Sequence, residues 1–311
     1  MLKRLGITSL LLAAVTGFVL WFVNAKPVRV MGDASTMRIV TTNSILEDMT
    51  EQVVGSRAEV YSIVPRGQDP HEYEPKPSDA QATAAADLIF HNGLKLETGG
   101  NGWFTKLVAN AGKRDNKEVF AASEGVTARY VNGDKNSPDP HAWLDIANGI
   151  RYIKNIAAAV IDKDPAHAKE YQANADAYIA KLTKLDQAAK QQFADIPAAK
   201  KLLVTSEGAF QYFSAAYDLT PTFIWAINTE SQGTPEQLRT VLAKIEASDV
   251  PVLFVETSVS KKAMQKVSQD SGKPIYATLF TDSLAKKGQK GDTYLTMMQW
   301  NLSHIHAGLA Q

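Results

Sequence analysis

The stretch DPAHAKEYQANADAYIAKLTKLDQAAKQQFADIP, Asp164 to Pro197, decides how this chain is organised. Asp164-Pro165 reads as a helix start, by capping and by proline in the first turn. Tyr171, Ala175, Tyr178, Leu182, Leu185, Ala189 and Phe193 then recur at steps of three and four, with no glycine or proline among them. About 30 helical residues reach roughly 45 Å. The spacing therefore predicts one long, rigid helix at mid-chain, joining two halves and limiting their relative motion to a small tilt.

Working outward, both halves read in the same order. In the first, Met37–Thr42 is a buried strand, Ser44–Val54 a helix and Ala58–Val64 a strand. The loop Pro65–Pro77 follows, then a helix capped by Ser78, a strand at Leu88–Phe90, a helix near Trp103–Ala111 and a strand at Glu118–Ala121. In the second, Lys201–Thr205, Thr222–Ile227, Val252–Val255 and Pro274–Leu279 are strands. Helices over Ala209–Tyr217, Thr234–Ser248 and Ser260–Ser271 separate them. Strands alternating with helices of this length imply parallel sheets with crossover helices. The expected fold is α/β: two lobes, each a small parallel sheet, joined by the long helix. The expected boundaries are a leader over 1–25, an N-terminal lobe over 37–163, the linker helix over 164–197 and a C-terminal lobe over 198–311.

Bulk properties agree with two ordinary cores. The chain has 311 residues, 45% hydrophobic and 21% charged, with a formal net charge of zero. No basic patch is visible, so nucleic acid is not an expected partner. Met1-Leu2-Lys3-Arg4 is a short basic start, followed by an uncharged apolar run from Leu5 to Val23, with Val23 and Ala25 at positions a signal peptidase reads. This reads as a secretory leader, and because the run is longer than usual, an uncleaved membrane anchor is the alternative. There is no cysteine, so the chain has neither disulfides nor a cysteine to carry a lipid.

Four residues carry the chemistry: His71, His141, Glu207 and Asp282. Each follows a predicted strand, and in open parallel sheets ligands bind outside the carboxyl ends of the strands. Two come from each half, facing one cleft. Two imidazoles and two carboxylates suit a divalent first-row metal, and the carboxylates cancel its charge so that the filled site can be buried. Singly, each has a plain structural reading: the histidines as loop residues, Glu207 as a first-turn acid, Asp282 as a turn residue. The recurrence of Asp-Pro-His at 69–71 and 139–141 raises the histidines above that reading, since a preceding proline stiffens the backbone that fixes the imidazole. Asp69, Glu72 and Asp139 are candidate partners of the imidazoles or, equally, solvated loop charges, and Trp143 and Trp225 candidate walls, though aromatics near strand ends are more often plain packing. His91, His167, His304 and His306 read as structural; on a helix, His304 and His306 would not face one another.

Five segments in order carry a family resemblance: Asp69-Pro70-His71-Glu72-Tyr73-Glu74-Pro75, Asp87-Leu88-Ile89-Phe90-His91-Asn92-Gly93, Asp139-Pro140-His141-Ala142-Trp143, Val204–Phe213 and Asp282-Ser283-Leu284. From about Arg38 to the C-terminus the chain resembles the metal-binding solute-binding proteins of bacterial ABC importers. That group handles manganese, zinc and ferrous iron (cluster A-I, solute-binding protein family 9). The resemblance implies a metal held between two lobes by His71, His141, Glu207 and Asp282, delivery to a membrane permease, a monomer and no catalytic step. In manganese and iron members the third ligand is a glutamate, where zinc members usually place a histidine and often carry a His-rich acidic loop. This chain has Glu207 and no such loop, which favours Mn²⁺ or Fe²⁺. Physical chemistry adds that Zn²⁺ binds such a donor set at least as well as Mn²⁺. The expected function is an extracytoplasmic receptor, periplasmic or tethered by its leader, that captures Mn²⁺ or Fe²⁺ for import; zinc uptake is the alternative. An exported metallohydrolase would need an open coordination position and a nearby base, and no H-E-x-x-H or nucleophile elbow is present. An adhesin-like surface protein would require the tether.

Overall fold

The computed structural model describes residues 36–133, 135–228 and 233–311. The leader expected over 1–25 lies outside them. Among the described residues no helix is long and apolar enough to cross a membrane.

The first sheet is fully parallel, with β1 (Met37–Thr41), β2 (Ala58–Ser62), β3 (Leu88–His91) and β4 (Val119–Ala121) in the order β2-β1-β3-β4. Its crossovers are α1 (Ser44–Val54), α2 (Pro77–Ala85) and α3 (Trp103–Asn110). Local chemistry sets their ends. The Asn43 carboxamide accepts the Ile45 and Leu46 N–H groups at 3.1 and 3.0 Å, and Gly55 at φ +57° stops α1. The cap of α2 differs from expectation: Lys76 is the N-cap and Pro77 opens the helix, so Ser78 already lies within the first turn. Asp79 there accepts the Lys76 N–H at 2.6 Å, supplying the acid that a helix N-terminus favours.

The second half repeats the plan. Its strands are β5 (Leu202–Glu207), β6 (Thr220–Trp225), β7 (Leu253–Glu256) and β8 (Ile275–Leu279), with α6 (Gln211–Ala216), α7 (Pro235–Glu246) and α8 (Lys262–Ser271) between them. It differs from a single four-stranded sheet. β5–β6 and β7–β8 are separate parallel pairs, with β5 alongside β7. What joins the pairs at their carboxyl ends is a side chain. The buried Glu256 carboxylate accepts the N–H groups of Ser206 and Glu207, both at 2.9 Å. Laid out as β6-β5-β7-β8, the strands follow the order of the first sheet.

The helix at mid-chain is α5 (Ala168–Phe193), 26 residues, entered through a 3-10 turn at Pro165–His167. Its length is about 39 Å at ~1.5 Å per residue, somewhat less than expected. Six of its seven expected apolar positions are buried, and Leu185 is half-buried. Two further helices were not legible beforehand. α4 (Ile146–Lys163) follows a 3-10 turn at Ala142–Leu144, and α9 (Tyr294–Leu309) closes the chain. α5 packs on α1 and α4 of the first half and on α9 of the second, so one continuous core runs through both halves.

α4 and α9 meet where Gly149 lies against the buried Tyr294. A Cβ at position 149 would stand 2.1 Å from the Tyr294 hydroxyl, which is fixed by donating to the Trp143 carbonyl at 2.6 Å. Gly149→Ala, ordinarily favourable in a helix, is therefore expected to destabilise by about 1–3 kcal/mol through overpacking. Thermal denaturation checks this, and an unchanged or raised Tm would refute the close approach.

Candidate metal centre

The four expected residues converge. One donor atom from each of His71, His141, Glu207 and Asp282 lies within 4.8 Å of the others, and all four side chains are buried. His71 sits in the loop after β2, and His141 opens the 3-10 turn before α4. Glu207 is the last residue of β5, paired with Trp225, not a residue beyond the strand. Asp282 follows β8. All four stand at the carboxyl ends of strands or in the loops that continue from them, as parallel sheets dictate.

The spacing fits a cation. The two Nε2 atoms are 3.4 Å apart, and Asp282 Oδ1 is 3.1 Å from His141 Nε2 and 3.7 Å from His71 Nε2. Glu207 turns both oxygens inward, Oε1 at 3.7 Å from His71 Nε2 and Oε2 at 3.9 Å from His141 Nε2. Four ligands at about 2.1 Å from a metal would be separated by roughly 3.4 Å in a tetrahedron. Among the described residues Glu207 Oε2 has no hydrogen-bond partner, although a buried carboxylate oxygen ordinarily finds one. A divalent ion at the centre would satisfy it.

The supporting groups hold this arrangement. Asp139 Oδ1 lies 2.7 Å from His141 Nδ1 and also accepts the His141 N–H at 3.0 Å. With the ring proton on Nδ1, the Nε2 lone pair faces the site. Asp69 acts through the backbone, not the ring: its Oδ1 accepts the His71 N–H at 2.8 Å. Glu72 is exposed, the solvated loop charge of its two readings, and its neighbour Tyr73 faces inward instead. Trp143 packs edge-on against the His141 ring at 5.3 Å between centroids, and its Nε1 donates to the Thr281 carbonyl across the cleft. Trp225 touches the site indirectly, donating from Nε1 to Asn228 at 3.0 Å.

Three supporting residues were missed in the sequence. Ser258 donates to Asp282 Oδ2 at 2.7 Å, Asn228 donates its backbone N–H to Glu207 Oε1 at 2.8 Å, and Glu256 anchors the backbone of Glu207. Each lies at or just past a strand end, which is the signal that could have found them. The remaining histidines stand apart. His91 stacks on Phe104, His167 lies 2.7 Å from Asp164, His304 stacks on Trp300 and His306 packs near Phe193.

Burial and like charge make the metal-free site reluctant to hold two carboxylates. Burial pushes Glu207 up to about 8, reinforced by the Asp282 charge. Burial also works against charge on the imidazoles. For His71 the Asp282 hydrogen bond and the Glu207 charge prevail, and for His141 the Glu207 charge and the Asp139 hydrogen bond do, so both titrate above the ordinary histidine value. Asp282 also faces burial, yet its hydrogen bonds to His141 and His71 hold it well below the usual carboxylate range. The metal-free site thus carries protons at neutral pH that a cation must displace. Affinity is expected to rise with pH and to fall from pH 8 to 6, by about tenfold per unit for each proton displaced. Calorimetric titration in buffers of different ionisation enthalpy reads the release directly, and a pH-independent affinity with no release would contradict it.

Two α/β lobes closing on four buried donor atoms define a metal-binding solute-binding protein. The chain belongs to the ZnuA family, described as zinc-uptake complex component A, periplasmic, whose model matches residues 39–308. It is 56% identical over 275 residues to the manganese ABC transporter substrate-binding lipoprotein PsaA of Streptococcus pneumoniae, covering 88% of this chain and 89% of that protein. It is 52% identical over 277 residues to the iron ABC transporter substrate-binding lipoprotein MtsA of Streptococcus pyogenes serotype M1, with 88% and 89% covered. Among solved structures it is similar to the periplasmic zinc binding protein TroA of Treponema pallidum, at a TM-score of 0.81 and 27% identity, covering 89% of this chain and all of that one. The chain is thus a metal-binding receptor for an ABC importer, a transport protein and not an enzyme.

Proposed function

We propose that this receptor captures Mn²⁺ outside the cytoplasm, holds it with His71, His141, Glu207 and Asp282, and delivers it as a monomer to the importer's membrane permease. The observation that carries this reading is the donor set itself. Two imidazoles face two carboxylates, and Glu207 presents both its oxygens. Carboxylate oxygens suit harder ions, and a bidentate Glu207 raises the coordination number above the four that zinc prefers. Fe²⁺ is the second reading, supported by the same donors and by the relative named for iron. Zinc uptake is the third: the family description and TroA are named for zinc, and Zn²⁺ outranks Mn²⁺ in raw affinity.

In this reading the lobes span 37–163 and 198–311, with the 164–197 helix between them. One lobe supplies the imidazole pair and the other the carboxylate pair, so the ion, charge-balanced by the carboxylates and ligated by the neutral imidazoles, bridges the two and favours the closed form. Export uses the leader over 1–25. The relatives are named lipoproteins, but these 311 residues contain no cysteine. The leader is then either cleaved, freeing the receptor, or kept as its tether. Elemental analysis of protein purified from its native compartment tests the choice of metal. About one equivalent of manganese is expected, and one equivalent of zinc with neither manganese nor iron would overturn it.

A further inference from the structure

One chain of hydrogen bonds crosses the cleft from ligand to ligand. The His71 N–H donates to Asp69 Oδ1 at 2.8 Å, and the other oxygen, Asp69 Oδ2, accepts from the Asn228 side-chain amide at 2.9 Å. The Asn228 backbone N–H donates to Glu207 Oε1 at 2.8 Å. The Asn228 carbonyl oxygen accepts from Trp225 Nε1 at 3.0 Å, which fixes the orientation of the carboxamide and aims its NH₂ at Asp69. Asn228 therefore touches both sides. Its backbone holds the carboxylate of the second half, and its side chain holds the loop that carries the first histidine.

We propose that Asn228 is a positioning residue that sets how long the metal stays bound. The inference rests on the four-ligand reading above and names a regulator of that same site. The metal leaves when His71 and Glu207 separate, and separation stretches the Asn228–Asp69 bond, whose acceptor is a carboxylate and which is partly buried. Such charge-assisted bonds are roughly twice as strong as neutral ones. Among the described residues, further hydrogen bonds from the His71 loop to the second half lie at its other end. Arg66 donates to the Ala285 and Asp292 carbonyls at 3.1 and 2.6 Å, and the Gly67 N–H donates to Ser283 at 2.6 Å. Those contacts hold the Asp282 segment, whereas the Asn228 bond lies on the Glu207 side.

The test is the dissociation rate of Mn²⁺ into excess chelator, measured by stopped flow on the whole chain. Asn228→Ala removes the cross-cleft bond and keeps the backbone donor to Glu207. Asn228→Asp sets two carboxylates against each other. Both are expected to speed release at least tenfold, with the association rate within about threefold and the Tm of the metal-free protein within about 2 °C, as befits an effect on residence alone. The double variant Asp69→Asn with Asn228→Asp reverses donor and acceptor. The amide at 69 still accepts the His71 N–H and now donates to the carboxylate at 228, which still accepts from Trp225. Release is expected to return to within threefold of the original. Release unchanged in both single variants would overturn the proposal, as would an equal loss of Tm with and without metal. Glu207→Gln serves as the reference: if it abolishes binding while the Asn228 variants release normally, the site stands and this inference alone fails.

Discussion

Glu207→Gln and Asp282→Asn each lower the affinity for Mn²⁺ by at least about a hundredfold while the protein stays folded. Changing a group that merely orients a ligand already costs about 10- to 100-fold in metal affinity, and these substitutions change the proposed ligands themselves. Both keep the shape of the side chain. A glutamine at 207 still accepts the Asn228 N–H through its carbonyl oxygen, and an asparagine at 282 still accepts from Ser258. What is lost is charge. With one carboxylate gone, a buried 2+ ion with two neutral imidazoles is left with a net positive charge in a site cut off from solvent, which is costly. The metal-free protein should be no less stable than the original, because a carboxyl that burial and Asp282 push up to about 8 is not a source of stability there. Calorimetric titration reads the affinity and thermal denaturation the stability. Affinity within threefold of the original in both variants would remove these two residues from the site.

Asp48→Ala lowers stability by about 3 kcal/mol, equivalent to about 6–12 °C in Tm for a body of this size. Asp48 lies on α1 at 2% exposure and joins three elements. Its Oδ2 accepts the Tyr178 hydroxyl from α5 and the Tyr294 N–H at the start of α9, both at 2.8 Å. The Tyr178 oxygen in turn accepts the Leu295 N–H at 3.1 Å. A carboxylate thus caps the N-terminus of the last helix from the opposite half of the chain, through the linker helix. Truncation leaves the Tyr294 N–H and the Tyr178 O–H buried without an acceptor, which costs more than the bonds themselves contribute. Asp48→Asn, which keeps an acceptor, should lose about half as much. A loss below about 1 kcal/mol for Asp48→Ala would show that this junction does not tie the halves together.

Where the chain's own chemistry is local, the sequence carried it. Alternating strands and helices specify two parallel sheets, and Tyr171 through Phe193 specify the helix between them, because periodic burial is written into the side chains. The four donors were legible for a related reason: strand ends in parallel sheets are where ligands bind, and two Asp-Pro-His repeats mark the same end of one lobe. The misses involve contacts between distant segments. α4 was hidden because Asn148-Gly149 looks like a turn, and the glycine is there to make room for Tyr294, which is 145 positions later. The buried positions of α9, from Tyr294 through Met297, Met298, Leu302 and Ile305 to Leu309, do recur at steps of three and four, but Asn301 lies within that stripe and Leu295 and Trp300 outside it, which blurs the pattern. The link between the two strand pairs of the second half rests on the Glu256 side chain, and the cross-cleft role of Asn228 rests on Asp69. Neither partner is visible from local spacing.

The measurement that tests the account most directly is calorimetric titration of metal-free protein with Mn²⁺ at pH 7, repeated with Glu207→Gln. One equivalent of Mn²⁺ is expected to bind, with protons released as it does, and the affinity to fall at least about a hundredfold in the variant. Absence of Mn²⁺ binding in the original protein, or equal binding in the variant, would contradict it.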